Sequence, residues 1–81
     1  MRVNLMPKYF FHLLGDVPAH DLIGHNCASD KEAKQYGRML AHNVGTGRPD
    51  LVTESNYISV VDDRDRELFK IPLSSRSAGS I

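Results

Sequence analysis

The chain has one cysteine and no tryptophan, and its ten Lys and Arg are matched by ten Asp and Glu. A single cysteine excludes an intramolecular disulfide, so nothing covalent closes the fold. With a formal net charge of zero at pH 7, no global field steers the protein onto nucleic acid or an anionic membrane. No apolar run approaches the ~20 residues needed to cross a bilayer. The N-terminal MRVNLMPKYFFHLL is interrupted by Asn4, Pro7, Lys8 and His12, and no small-residue cleavage site follows. It does not read as a secretory signal, and the expectation is a cytoplasmic protein. A phosphate loop, a dinucleotide fingerprint, G-x-S-x-G and H-E-x-x-H are also missing, so no enzymatic activity is expected.

What remains is 81 residues, 41% hydrophobic and 25% charged, the composition of one small globular domain with a thin core. Residues 1–5 read as an N-terminal extension, with Met6 an alternative start. Residues 6–73 read as one domain, and the small, polar, aperiodic stretch 74–81 as a flexible tail.

Residues 8–14, KYFFHLL, read as a strand. Tyr9, Phe11 and Leu13 share one face; Phe10, His12 and Leu14 share the other. Both faces are mostly apolar, which predicts a central strand. Residues 19–27 read as a weaker second strand, with Leu22 and Ile23 inside it and Gly24 marking a bulge or turn. Residues 57–61, YISVV, form a third strand by their β-branched content. Asp62 to Arg66 read as a solvated turn. Residues 67–73 form the fourth strand, with Phe69, Ile71 and Leu73 facing the core and Glu67 and Lys70 on opposite faces. Pro72 cannot donate to a ladder, so it marks an edge or a strand end.

Between the strand pairs, Ser29-Asp30-Lys31-Glu32 fits a capping box in which Ser29 and Glu32 satisfy each other's backbone N–H groups. A helix follows from about Asp30 to Val44. Its apolar stripe is Ala33, Tyr36, Leu40 and Val44, with Gly37 and Ala41 beside them. Gly45 is placed to end it in the left-handed conformation. The predicted fold is therefore α+β: a two-layer β-β-α-β-β arrangement with one amphipathic helix on a three- or four-stranded, mainly antiparallel sheet.

MPKYFF at 6–11, the D-x-x-G-x-x-C spacing from Asp21 to Cys27, the capped helix and the closing VVDDRDRELFKIPL at 60–73 together resemble a family of short bacterial proteins of unknown function, abundant in rhizobia, that open Met-Pro-Arg/Lys-Tyr-Phe-Phe. The resemblance spans roughly residues 6–73 and departs from the family pattern at Asp65, where Gly is usual. It implies a small cytoplasmic domain and brings no activity or site with it.

Four histidines and Cys27 invite a metal reading through His20-x4-His25-x-Cys27, but structural zinc favours tight Cys or His pairs and a second Cys is lacking. Asp63-x-Asp65-x-Glu67 lacks the glycine and distal Glu of a calcium loop. No metal and no cofactor are expected. Cys27 precedes a helix, where a thiol can be activated, although a small structural thiol is commoner. Lys31, Lys34, Arg38 and His42 line the helix's outer face and form the candidate nucleic-acid surface. A solvated face looks the same, and nucleic acid is not the favoured partner. One helix cannot cover both faces of a sheet whose first strand is apolar on both. Leftover apolar surface marks a partner site. Phe10, His12, Leu14, Tyr57 and Val61 are its candidate residues, and the expected function is a non-enzymatic interaction module that self-associates, or binds another protein, through that face or an edge strand.

Overall fold

The computed structural model describes residues 7–75; the N-terminal extension and most of the C-terminal tail lie outside them. The elements are β1 (Lys8–Leu14), β2 (His25–Asn26), α1 (Asp30–Gly47), a short 3-10 helix (Pro49–Leu51), β3 (Tyr57–Val61) and β4 (Glu67–Pro72). The four strands make one sheet in the order β2-β1-β3-β4, every neighbouring pair antiparallel. The two-layer α+β arrangement is thus as predicted, and β1, apolar on both faces, is central. Among the described residues, no helix is long and apolar enough to cross a membrane.

Register places the core. Phe11 lies opposite Val60 and Leu13 opposite Ile58, while Val60 faces Phe69 and Ile58 faces Ile71. With Tyr9 and Leu73, these side chains meet α1 on one side of the sheet. Phe11 also packs edge-to-face on Tyr36 of the helix, with ring centroids 4.9 Å apart.

The capping box forms with one change. Ser29 Oγ accepts from the Glu32 N–H at 3.2 Å, but Glu32 Oε1 takes the N–H of Ala28, not that of Ser29. The buried line of the helix is Ala33, Gly37, Ala41 and Gly45. Tyr36, Leu40 and Val44, expected at its centre, flank it half-buried. Gly45 does not end the helix, which runs on to Gly47. It is helical and sits where a Cβ would lie 2.3 Å from the Ser74 carbonyl oxygen. The stop comes from Pro49 just beyond, which disfavours helical geometry in the residue before it; the Arg48 N–H closes the last turn on the Val44 carbonyl at 2.8 Å.

Two strand readings also change. The second strand shrinks to His25–Asn26, with Ala19 pairing to Leu13 as an isolated bridge. In the last hairpin a bulge sets Val61 opposite Glu67, although Val60 is opposite Phe69. The extra residue reverses the alternation. Glu67 and Lys70 therefore lie on the same face, with Lys70 Nζ 4.0 Å from Glu67 Oε1. Asp65 holds the positive φ of 65° that a glycine would adopt at no cost. The turn is secured by Asp62, whose Oδ1 accepts the N–H groups of Arg64 and Arg66, both at 2.9 Å.

Gly45→Ala should lower stability by about 1–3 kcal/mol, because the backbone clash with Ser74 outweighs the gain in helix propensity. Urea unfolding followed by circular dichroism checks this; an unchanged or raised midpoint would show that the segment can move aside.

Candidate functional site

Away from the helix, the sheet presents Phe10, His12, Leu14, Tyr57, Ser59, Val61, Glu67 and Lys70, by alternation and register. This reverse face is not the bare apolar surface that strand patterning suggests. Val61 is only 6% exposed, set between its cross-strand neighbours Phe10 and Glu67. Phe10, His12, Leu14 and Tyr57 are half-buried. Ser59 is 2% exposed and its hydroxyl donates to Glu67 Oε2 at 2.5 Å. Lys70 Nζ lies 5.5 Å from the centre of the Tyr57 ring.

The chain's own β1–β2 connection covers the β1 side of this face, and Asp21 organises it. One carboxylate oxygen accepts from Ile23 and Gly24, both at 3.0 Å, and the other from the Phe11 N–H at 3.2 Å. The Phe11 group sits on the β1 edge between the Ala19 bridge and the β2 ladder, where no strand reaches it. Burial pushes the Asp21 carboxyl up, but the donated N–H groups of Gly24, Ile23 and Phe11, with His12 nearby, more than offset this and hold it below the usual carboxylate range. The Asp21 N–H donates to His12 Nδ1 at 3.0 Å, and the His12 and His20 rings are 5.0 Å apart. Gly24 closes the turn with φ of 81°, and a Cβ there would strike Lys8 and the Phe10 ring. The D-x-x-G spacing thus has a mechanical meaning: a carboxylate that ties three backbone donors and a residue that can turn left-handed.

The product of this loop is its tip. Leu22 is 89% exposed and Ile23 80%, the two most exposed large hydrophobic residues among those described. They were expected inside a strand. Strand patterning missed them because Asp21 takes over the hydrogen bonds that a ladder would have made.

A second feature lies toward the other side of the same face. Val52, Glu54, Tyr57, Lys70 and Pro72, among others, line an open groove of about 640 Å³. Asn56 fixes its rim: buried, it donates to the Leu51 carbonyl at 2.9 Å and to Thr53 Oγ1 at 3.3 Å, and accepts from the Asp16 N–H at 2.8 Å. A lone Asn between a loop and a strand gave no sequence signal of this role.

The remaining candidates are dispersed. A smaller groove of about 470 Å³ runs between β2 and α1, beside the stacked rings of His25 and Tyr36, 4.0 Å apart. Cys27 lies there, 1% exposed, and burial together with the nearby Glu32 pushes its thiol up, opposite to the shift a nucleophile needs. His20, His25 and Cys27 do not converge, and among the described residues no group of three or more His, Cys, Asp and Glu is arranged to hold a metal ion. Lys31, Lys34 and Arg38 are exposed and His42 half-buried. Lys34 Nζ leans over the Phe69 ring at 5.3 Å instead of standing clear. Tyr9 ties β1 to the start of the helix by donating its hydroxyl to Asp30 Oδ1 at 2.7 Å.

Asp21→Ala should cost about 1–3 kcal/mol by leaving backbone donors unpaired. Faster amide exchange at Phe11 and Gly24 should accompany it; unchanged protection there would mean that Asp21 does not hold the loop. The hydrogen bond to Asp30, with burial and the Asp30 charge, pushes Tyr9 up to about 12. The folded value exceeds the unfolded one, so the resulting stabilisation is complete below pH 10 and lost as pH rises through about 12. Phenolate absorbance in an alkaline titration should show one late tyrosine that Tyr9→Phe removes.

The chain belongs to the family described as a domain of unknown function, DUF6894, whose model matches residues 8–74. No curated protein and no solved structure matches it.

Proposed function

We propose that this DUF6894 member is a non-enzymatic, cytoplasmic protein-interaction module that associates with itself through the reverse face of its sheet. The observation that carries this is the Leu22–Ile23 tip, 89% and 80% exposed on a loop that Asp21 holds in place. Single exposed aliphatic side chains are ordinary on protein surfaces. Two adjacent ones on a hydrogen-bonded mount are different, because burying them against a partner gains ~25 cal/mol per Å² with little loop entropy to lose.

The face is a better route than the edges. On one side β2 spans two residues. On the other, β4 carries a bulge, Lys70 and a terminal Pro72, devices that discourage strand addition. A buried Cys27 with a raised thiol pKa favours a non-catalytic role. Nucleic-acid binding through the helix is the weaker alternative. Lys31 and Arg38 make no ion pair with a described residue, but Lys34 is engaged over Phe69 and the acidic Asp30 and Glu32 share the same helix end.

Sedimentation velocity on the full chain tests the proposal. Over about 1 µM to 1 mM, the range of weak interfaces, the mean mass should rise from 9.1 kDa toward twice that value. A constant monomer mass across the range overturns it.

A further inference from the structure

Resting on that self-association, we infer that the occupant of the groove beside Tyr57 is the Leu22–Ile23 tip of a second copy of this chain, each copy seating its tip in the other's groove across a two-fold axis that lies between the two faces.

The placement of the two features permits this. The loop bearing the tip packs over Lys8, Phe10 and His12, reverse-face residues of β1. The groove is lined by Tyr57, Lys70 and Pro72, from the same face of β3 and β4. In the order β2-β1-β3-β4, the tip and the groove therefore share a face but lie toward opposite edges, and toward opposite ends of the strands, the tip by Lys8 and Phe10 and the groove by Tyr57 and Pro72, level with Leu14. An axis between two apposed faces and perpendicular to the line from tip to groove exchanges the two, so both tips meet both grooves together. Such an isologous contact closes at two copies and leaves no surface to propagate a fibre.

The chemistry matches. Leu22 and Ile23 are aliphatic, and Val52, the Tyr57 ring and Pro72 give the groove apolar walls. Its volume of about 640 Å³ is ample for two side chains. Lys8 stands beside the tip and Glu54 on the groove rim, and neither makes an ion pair with a described residue. The exchange brings Lys8 of one copy toward Glu54 of the other. Zero net charge leaves no bulk repulsion between identical copies. Three strands and a loop segment at ~4.8 Å spacing and about 20 Å in length offer a footprint of roughly 400 Å² per copy. With both tips inserted, the total reaches about 1,000 Å², the lower limit for a specific interface, which fits a dimer of micromolar affinity.

The test is the dimer dissociation constant of the full chain, measured by sedimentation, for three sets of variants. Leu22→Ser with Ile23→Ser should weaken the dimer at least about a hundred-fold, the combined loss of two buried aliphatic side chains on each copy. Below the dimer dissociation constant, where both proteins are monomers, the circular dichroism spectrum and unfolding midpoint should match the wild type, because both side chains face solvent in the single chain. Lys8→Glu and Glu54→Lys should each weaken association several-fold, and the double swap should recover wild-type affinity to within about two-fold. If the wild type dimerises but the serine variant binds as tightly, or the swap fails to recover affinity, the tip-in-groove contact is wrong while self-association stands. A wild type that stays monomeric at about 1 mM, outside the range of any useful self-affinity, ends both and leaves the tip to a different protein.

Discussion

The close approach of α1 to the sheet is the constraint on which the rest depends. Along the line of contact the helix offers only Ala33, Gly37, Ala41 and Gly45. Those positions let its backbone settle until Val60 and Ile71 side-chain atoms lie within 3 Å of where a Gly37 Cβ would stand. The sheet supplies the bulk of the core, and the helix supplies the absence of bulk. A small domain buries a limited fraction of its surface, so thinning the gap between layers raises packing density without more residues. Tyr36, Leu40 and Val44 then close the flanks of the contact.

One helix spent on one face leaves the other to be managed differently. The bulge in β4 brings Glu67 to the reverse side, where it accepts from the buried Ser59 hydroxyl. Lys70 covers Tyr57, and the Asp21 loop covers Phe10 and His12. The apolar surface does not vanish; it concentrates at Leu22, Ile23 and the groove by Pro72. Two polar side chains, Asp21 and Asn56, set both features by satisfying backbone groups that no strand reaches. The proposed partner surface resides on loops tied to the strands beneath by these hydrogen bonds.

Much of the fold was legible because it rests on short-range rules. The capping box at Ser29 and Glu32, the period-2 pattern of KYFFHLL and YISVV, and the terminal Pro72 each report a local preference that the tertiary structure respects. The candidate surface was legible only as an imbalance, one helix for two apolar faces. Phe10, His12, Leu14, Tyr57 and Val61 do share the reverse face, but Val61 lies buried within it and the most exposed apolar residues are elsewhere. A single extra residue in β4 changes which face Glu67 occupies, and periodicity cannot register a bulge before the partner strand is known.

By itself the sequence determined the element order, the central position of β1 and the lack of an intramolecular disulfide, since these follow from composition and from spacing within one segment. Only the tertiary structure decided that Gly45 is a packing residue and not a helix stop, that Leu22 and Ile23 stand in solvent, and that Asn56 joins two loops. Each of those depends on a group distant in sequence — the Ser74 carbonyl, the Phe11 N–H, the Asp16 N–H — and no local pattern encodes the arrival of a partner from elsewhere in the chain.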